Sequence, residues 1–288
     1  MHFCAIMIIE QRNRQIGICR DVTKFGVVRM NENKSRELVG RYYSYFLGAE
    51  ENLFGHFTPQ PVLLYTPVRN TPLQGYGQRF DVLAIVTETT TAISFGDAAV
   101  EKTSQLETLL QTNNVSLYEA IYQSFNTKPI HSIQYYFNGE ASEKSSARLL
   151  TSLDYHAFET FFRLNNPNAK DITWLRDYFE EMVSEKTCYG VFIDCQLVSC
   201  TDSPAVPFMP DIIKEIGINT LKEYRNLGFA KDACSCAIRE ITKQGKIPIW
   251  STDVSNIPSQ KLAESLGFEK WGELYSVALN QLSYSSVP

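Results

Sequence analysis

Histidine is scarce in this chain, with four residues in 288 (His2, His56, His131 and His156), and none lies close to another or to a cysteine pair. That spacing argues against a zinc knuckle. The seven cysteines (Cys4, Cys19, Cys188, Cys195, Cys200, Cys234, Cys236) are odd in number, and none stands in a C-x-x-C arrangement. They read as free, mostly buried thiols, and no metal site is expected. There is also no basic run: 27 Lys and Arg stand against 32 Asp and Glu, a net charge of -5. A chain of this balance has nothing to track a phosphodiester backbone, which excludes nucleic acid as an expected partner. Long apolar runs are absent too. The stretch from Met1 to Ile9 is too short to span a bilayer, and it lacks a cationic start or a small-residue cleavage site. It reads as a strand of a cytoplasmic protein with no membrane partner.

What is present is enough for a core: 44% of residues are hydrophobic, including 17 Phe and 15 Tyr. A length of 288 residues exceeds one typical domain, so two units are expected. Apolar residues at helical spacing occur at Leu38 to Phe46, Leu117 to Phe125, Tyr155 to Phe162 and Trp174 to Val183. Strand-like runs lie at Val62–Tyr65, Val82–Val86, Ile133–Phe137, Tyr189–Ile193 and Gln196–Cys200. Gly75-Tyr76-Gly77 reads as a turn. The polar segment Asn138 to Ala147 is the expected linker, dividing an N-terminal α/β domain, residues 1–145, from a second α/β domain, residues 146–288.

The second half holds the sharpest pattern. An apolar strand, Glu215-Ile216-Gly217-Ile218-Asn219-Thr220, leads into Arg225-Asn226-Leu227-Gly228-Phe229-Ala230 and then an amphipathic helix carrying Lys231. A helix N-terminus offers unpaired N–H groups and the positive end of a dipole. A turn that places a guanidinium and a glycine there can grip a pyrophosphate, and so a nucleotide-like acyl carrier. The alternative for Arg225 is a surface salt bridge with Glu223 or Asp232.

Arg-x-x-Gly-x-Ala after a strand, followed by Trp250, Asn256, Ser259 and Gly267-Phe268, resembles the acyl-coenzyme A loop of the GNAT superfamily of N-acetyltransferases. The runs Pro248-Ile249-Trp250 and Lys261 to Phe268 are similar to a bacterial branch that includes the zwittermicin A resistance type. The resemblance spans about Trp174 to Tyr275. It implies a mixed half-barrel sheet flanked by helices, with acetyl-CoA as cosubstrate and a primary amine of a small molecule or peptide as acceptor. A homodimer is compatible with it.

The resemblance also implies roles. The strand before the turn is splayed from its neighbour, so Ile218, Asn219 and Thr220 would hold the thioester and pantetheine arm. Residues Arg225 to Lys231 would hold the pyrophosphate, and Asn256 would reach the arm, with Ser259 beside it. Glu215 would draw the amine proton through water; otherwise it is a solvated glutamate paired with Lys214 or Lys222. The family's usual acid, a tyrosine four residues before Gly-Phe, is replaced by Ala263, and Tyr275 is the substitute, its alternative being a core aromatic. Asp202, in the loop after the central hairpin, would face a cationic amine or stand as an exposed turn residue. Two rival readings stay open: a non-catalytic acyl-CoA sensor, and a transferase of longer acyl groups.

Overall fold

A computed structural model describes residues 32–73, 78–112, 115–140 and 145–279. The expected strand at 1–9, Cys4, Cys19 and the Gly75-Tyr76-Gly77 turn lie outside these residues. In chain order the elements are α1 (Glu32–Leu47), β1 (Val62–Tyr65), β2 (Val82–Val86), β3 (Thr91–Phe95), α2 (Thr103–Gln111), α3 (Leu117–Phe125) and β4 (Ile130–Phe137). There follow β5 (Arg148–Leu149), α4 (Tyr155–Asn165), α5 (Leu175–Ser184), β6 (Tyr189–Ile193), β7 (Gln196–Asp202), β8 (Ile213–Glu215) and β9 (Gly217–Thr220). The last four are α6 (Phe229–Lys243), β10 (Ile247–Asp253), α7 (Ile257–Ser265) and β11 (Phe268–Val277).

Local chemistry sets many of the boundaries. Ser116 caps α3 by accepting from Glu119 N–H, and Asn126 at φ 52° ends it in the left-handed region. The β6–β7 hairpin turns on Asp194 and Cys195, both at positive φ, which is the two-residue geometry that matches strand twist and usually recruits glycine. Gly267 at φ 93° terminates the α7 segment.

The strands form a mixed α/β architecture of two sheets among the described residues. One has the order β1-β3-β2-β11-β4-β10-β8, the other β5-β6-β7-β9. Helix α1 covers one face of the larger sheet: Val39, Tyr42, Tyr43, Phe46 and Leu47 pack with Ile213, Ile249, Tyr136 and Trp271. On the opposite face α6 and α7 bury Cys234, Ala237, Ile238 and Ala263 against Tyr135, Trp250 and Phe268. Helices α2 and α3 cover the β2–β11 end, while α4 and α5 pack on the smaller sheet.

One sheet takes strands from both sides of the expected domain boundary. Strand β4 precedes the polar segment 138–147, yet it lies between β10 and β11, antiparallel to both, with Trp250 opposite Tyr135 and Phe268 opposite Phe137. Strand β11 in turn pairs with β2. The break after residue 145 divides the chain but not the sheet, because the hydrogen bonds of β10 and β11 are completed by a strand from the first half. The end of the polar segment is docked as well: Ser146 N–H and Oγ donate to Asp232 on α6, and Ser145 Oγ donates to its carbonyl.

Candidate active site

One strand was expected across Glu215 to Thr220, and the backbone breaks it at Ile216. Strand β8 runs parallel to β10, with Glu215 opposite Ile249, and the last bond of that ladder is Ile216 N–H to Ile249 C=O at 3.0 Å. Beyond it the chain leaves β10 and pairs with β7 in the other sheet, from Gly217 opposite Asp202 to Thr220 opposite Ser199. Strand β10 continues along β4 through Asp253. A wedge therefore opens between Gly217–Thr220 and residues 250–253. Leu221 N–H donates to Val198 C=O at 2.9 Å. By antiparallel alternation Asn219 and Gly217 bond toward β7, while Ile218 and Thr220 direct their N–H groups into the wedge. Gly217 permits this pairing: a Cβ there would stand 3.1 Å from the Asp202 Cβ.

The chain then makes a helical turn at Lys222–Tyr224 and reverses into α6 through Asn226 at φ 62° and Gly228 at φ 88°. Gly228 is the N-cap of this 15-residue helix and supplies no side-chain cap. A Cβ at Gly228 would meet nothing within 4 Å, so conformation rather than space requires glycine. Among the described residues, no group accepts from the backbone N–H of Asn226, Leu227, Gly228, Phe229, Ala230 or Lys231. The turn thus presents a row of donors at the positive end of a helix dipole. Arg225 leans across it, donating from Nε to Thr220 C=O at 3.1 Å. The alternative salt bridges of Arg225 are not formed among the described residues: Asp232 is engaged by Ser146. Leu227 and Lys231 are exposed, and Phe229 packs against the core of the smaller sheet.

Past the wedge, Asn256 caps α7 by accepting from Ser259 N–H at 3.3 Å. Ser259 Oγ in turn accepts from Trp250 Nε1–H at 3.0 Å, and Trp250 is core. Both polar side chains hold the rim of the wedge in place.

Glu215 shares the α1-facing side of the sheet with Ile213 and Ile249, as strand alternation requires. Burial, and next the nearby Asp202 carboxylate, push its pKa up to about 7, with Lys214 opposing weakly. The alternative pairing with Lys214 is not formed, because that side chain points to the other face and bonds Glu185 at 2.5 Å. Ser203 Oγ donates to the Glu215 carbonyl at 3.0 Å and steadies the strand end. Asp202 is corrected from loop to strand: it is the last residue of β7, and the Tyr178 phenol of α5 donates to its Oδ1. At the apex of the wedge the Asp202 carboxylate lies near enough to Glu215 for its charge to hold the proton there. Tyr178 escaped the sequence reading because its helical spacing marked it only as an apolar position of α5.

Tyr275 does not join this group. It lies on β11 opposite His131 of β4, stacked on that ring at 4.2 Å, and its hydroxyl donates to Glu273 at 2.9 Å. Strand β4 separates it from β10, a gap of about 10 Å at two interstrand spacings, with the wedge beyond. Burial and the Glu273 carboxylate raise its pKa well above the ordinary phenol value, which makes it a poor acid. Ala263 is fully buried, packed with Tyr135 and Phe268. Among the described residues no group of His, Cys, Asp and Glu could hold a metal ion, and no helix is long and apolar enough to cross a membrane.

Residues 183–277 match the family model for GNAT acetyltransferases. That segment holds β6 through β11, the wedge and the uncapped helix. No curated protein sequence matches the chain. Among solved structures, a GNAT-family protein from Novosphingobium aromaticivorans DSM 12444 is 21% identical over 52% of this chain and 64% of its own, with a TM-score of 0.42. A GNAT-family acetyltransferase from Colwellia psychrerythraea is 18% identical over 63% of this chain and 74% of its own, at 0.46. AAC(6')-Iy, solved with the bisubstrate analog CoA-S-monomethyl-acetylneamine, is 21% identical over 43% of this chain and 89% of its own, at 0.37.

Proposed function

We propose that this protein is an acetyl-CoA-dependent N-acetyltransferase acting on a primary amine of a small molecule or peptide. The observation that carries the reading is the strand that changes sheets at Ile216 and runs within a few residues into an uncapped helix. The family match over the same segment supports it, as does the resemblance to the zwittermicin A resistance branch.

In this reading the N–H groups of residues 226–231 and the Arg225 guanidinium hold the diphosphate, where charge-assisted bonds are strongest. Ile218 and Thr220 direct their N–H groups to the pantetheine arm and thioester carbonyl, polarising it as negative charge develops on oxygen. Asn219 stands between them on the β7 side, and Asn256 and Ser259 set the width of the wedge. Glu215 accepts the amine proton, directly or through one water. A base with a pKa of about 7 is ionised often enough at neutral pH and still basic enough to take a proton. Asp202, held by Tyr178, favours a cationic amine at the same mouth. The amine lone pair then adds to the carbonyl carbon and the C–S bond breaks. With Tyr275 elsewhere, the sulfur departs as a thiolate; a thiol pKa of about 8.5 makes that departure feasible without a positioned acid.

A non-catalytic acyl-CoA sensor is the second reading, favoured by the displacement of Tyr275 and by Ala263. Calorimetry separates the cases. Wild-type protein is expected to bind acetyl-CoA, and Arg225→Ala to weaken that binding about 10- to 100-fold, the value of a lost charged hydrogen bond. No heat with wild type removes both readings. Binding without turnover on an amine panel leaves only the sensor.

A further inference from the structure

We infer that Ser132, Gln134 and Ser251 orient the acceptor, and that this acceptor carries a neutral hydroxyl or carbonyl oxygen a few bonds from its amine. The inference rests on the acetyltransferase reading above and concerns the opposite wall of the same mouth.

The placement follows from register. Ile249 is the partner of Glu215, and Ser251, two residues on, has its side chain on the same face. Gln134 is opposite Ser251, and Ser132 opposite Asp253, so all three polar residues share the α1-facing side with Glu215. One interstrand step and two residues along the strand put Ser251 about 8 Å from Glu215, Cα to Cα. The wedge has Glu215 on one lip and Ser251 of β10 on the other; Ser132 stands one strand behind, on β4, opposite Asp253, whose carboxylate shares that face and accepts from Ser255.

Their hydrogen bonds give the group its direction. Gln134 is 2% exposed, deep in a sheet where an apolar residue would be ordinary. A buried amide is costly unless every donor and acceptor is used. Here the amide oxygen accepts from Tyr43 Oη–H at 2.9 Å, and both amide hydrogens are spent on Ser132 Oγ at 2.8 Å and Ser251 Oγ at 3.0 Å. Tyr43 is itself fixed, stacked on Trp271 at 4.4 Å. Each serine oxygen is therefore already an acceptor, and its own hydrogen remains to be donated. Ser251 is exposed and Ser132 half-buried, so those donors are within reach of a ligand at the mouth. Hydroxyl donors set near the carboxylates of Glu215, Asp202 and Asp253 select a molecule with a cationic amine at one end and an uncharged acceptor oxygen nearby; a carboxylate substituent would be repelled by all three. Gln134 is a positioning residue, acting through the serines.

The test compares transfer to glucosamine and to cyclohexylamine, which share a ring and an amine but differ in hydroxyl groups. Wild type is expected to prefer glucosamine. In Ser251→Ala the ratio of kcat/KM for the two amines should fall about 3- to 10-fold, the value of one neutral hydrogen bond, through KM rather than kcat. Ser251→Thr should restore it, and Gln134→Glu, which cannot donate to the serines, should lower it in the same way. Acetyl-CoA affinity by calorimetry serves as the check on folding. A wild-type enzyme that transfers acetyl groups but whose ratio is unmoved in Ser251→Ala, or that prefers cyclohexylamine, overturns this inference alone. Wild type that binds no acetyl-CoA overturns the reading beneath it.

Discussion

Glu215→Gln is expected to lower kcat/KM for any accepted amine by about 10²- to 10⁴-fold at pH 8, the ordinary contribution of a positioned base. The wild-type profile should rise through about pH 7, where burial and Asp202 place the carboxylate, and level off above it. The variant should lose that limb. Asp202→Asn removes the neighbouring charge that helps hold the proton on Glu215, so it should move the limb to lower pH.

Stability should change in the opposite sense. The folded pKa of Glu215 is raised from 4.5 to about 7, so folding favours the protonated form. No penalty exists below about pH 4.5; it grows as pH rises to 7 and is complete above that. Glutamine has no charge to bury. The variant should therefore match wild type near pH 4 and exceed it above pH 7 by roughly 1–2 kcal/mol, from ~1.4 kcal/mol per unit discounted for partial solvent screening. Thermal melts at the two pH values read this directly. A variant within threefold of wild-type activity with an unmoved pH limb would remove Glu215 from the mechanism.

A fragment of residues 146–288 is expected not to fold, although it contains the whole segment that matches the family. It lacks β4, and with it the shared neighbour of β10 and β11. Ile133, Tyr135, Tyr136 and Phe137 of β4 are all buried. At about 1.5–3 kcal/mol for each large apolar side chain, their loss is of the same order as the 5–15 kcal/mol that holds an ordinary domain together. The exposed edges of β10 and β11 would also be open to intermolecular pairing. Circular dichroism should show no cooperative melt, and co-expression with residues 1–145 should recover soluble protein. A fragment that melts cooperatively and turns over acetyl-CoA would mean that β4 is dispensable.

The contrast between Arg225 and Tyr275 shows which signals were local. The geometry of the turn at residues 225–230 is legible because each part of it acts within a few residues of chain: Gly228 takes a positive φ, the helix after it orients its own N–H groups, and Arg225 reaches back to Thr220. The place of Glu215 at the end of β8, just before the turn, follows from the same short stretch of chain. Tyr275 is near the motif in chain position, and chain distance does not report which strand lies between two side chains. The sequence places Asp202 in the loop after the central hairpin, whereas pairing with Gly217 extends β7 to include it.

From its residues alone, the chain determined the period of many of its helices and strands, the reversal at Gly228 and the charge types at the turn, because these depend on backbone sterics and on neighbours a few positions away. Only tertiary structure decided that Ile216 is where the strand changes sheets, that β4 crosses from the first half to stand between β10 and β11, and that Gln134 and Ser251 share a face with Glu215. A period of two states that one side of a strand is buried; which strand comes to lie beside it is settled by the packing of the whole sheet.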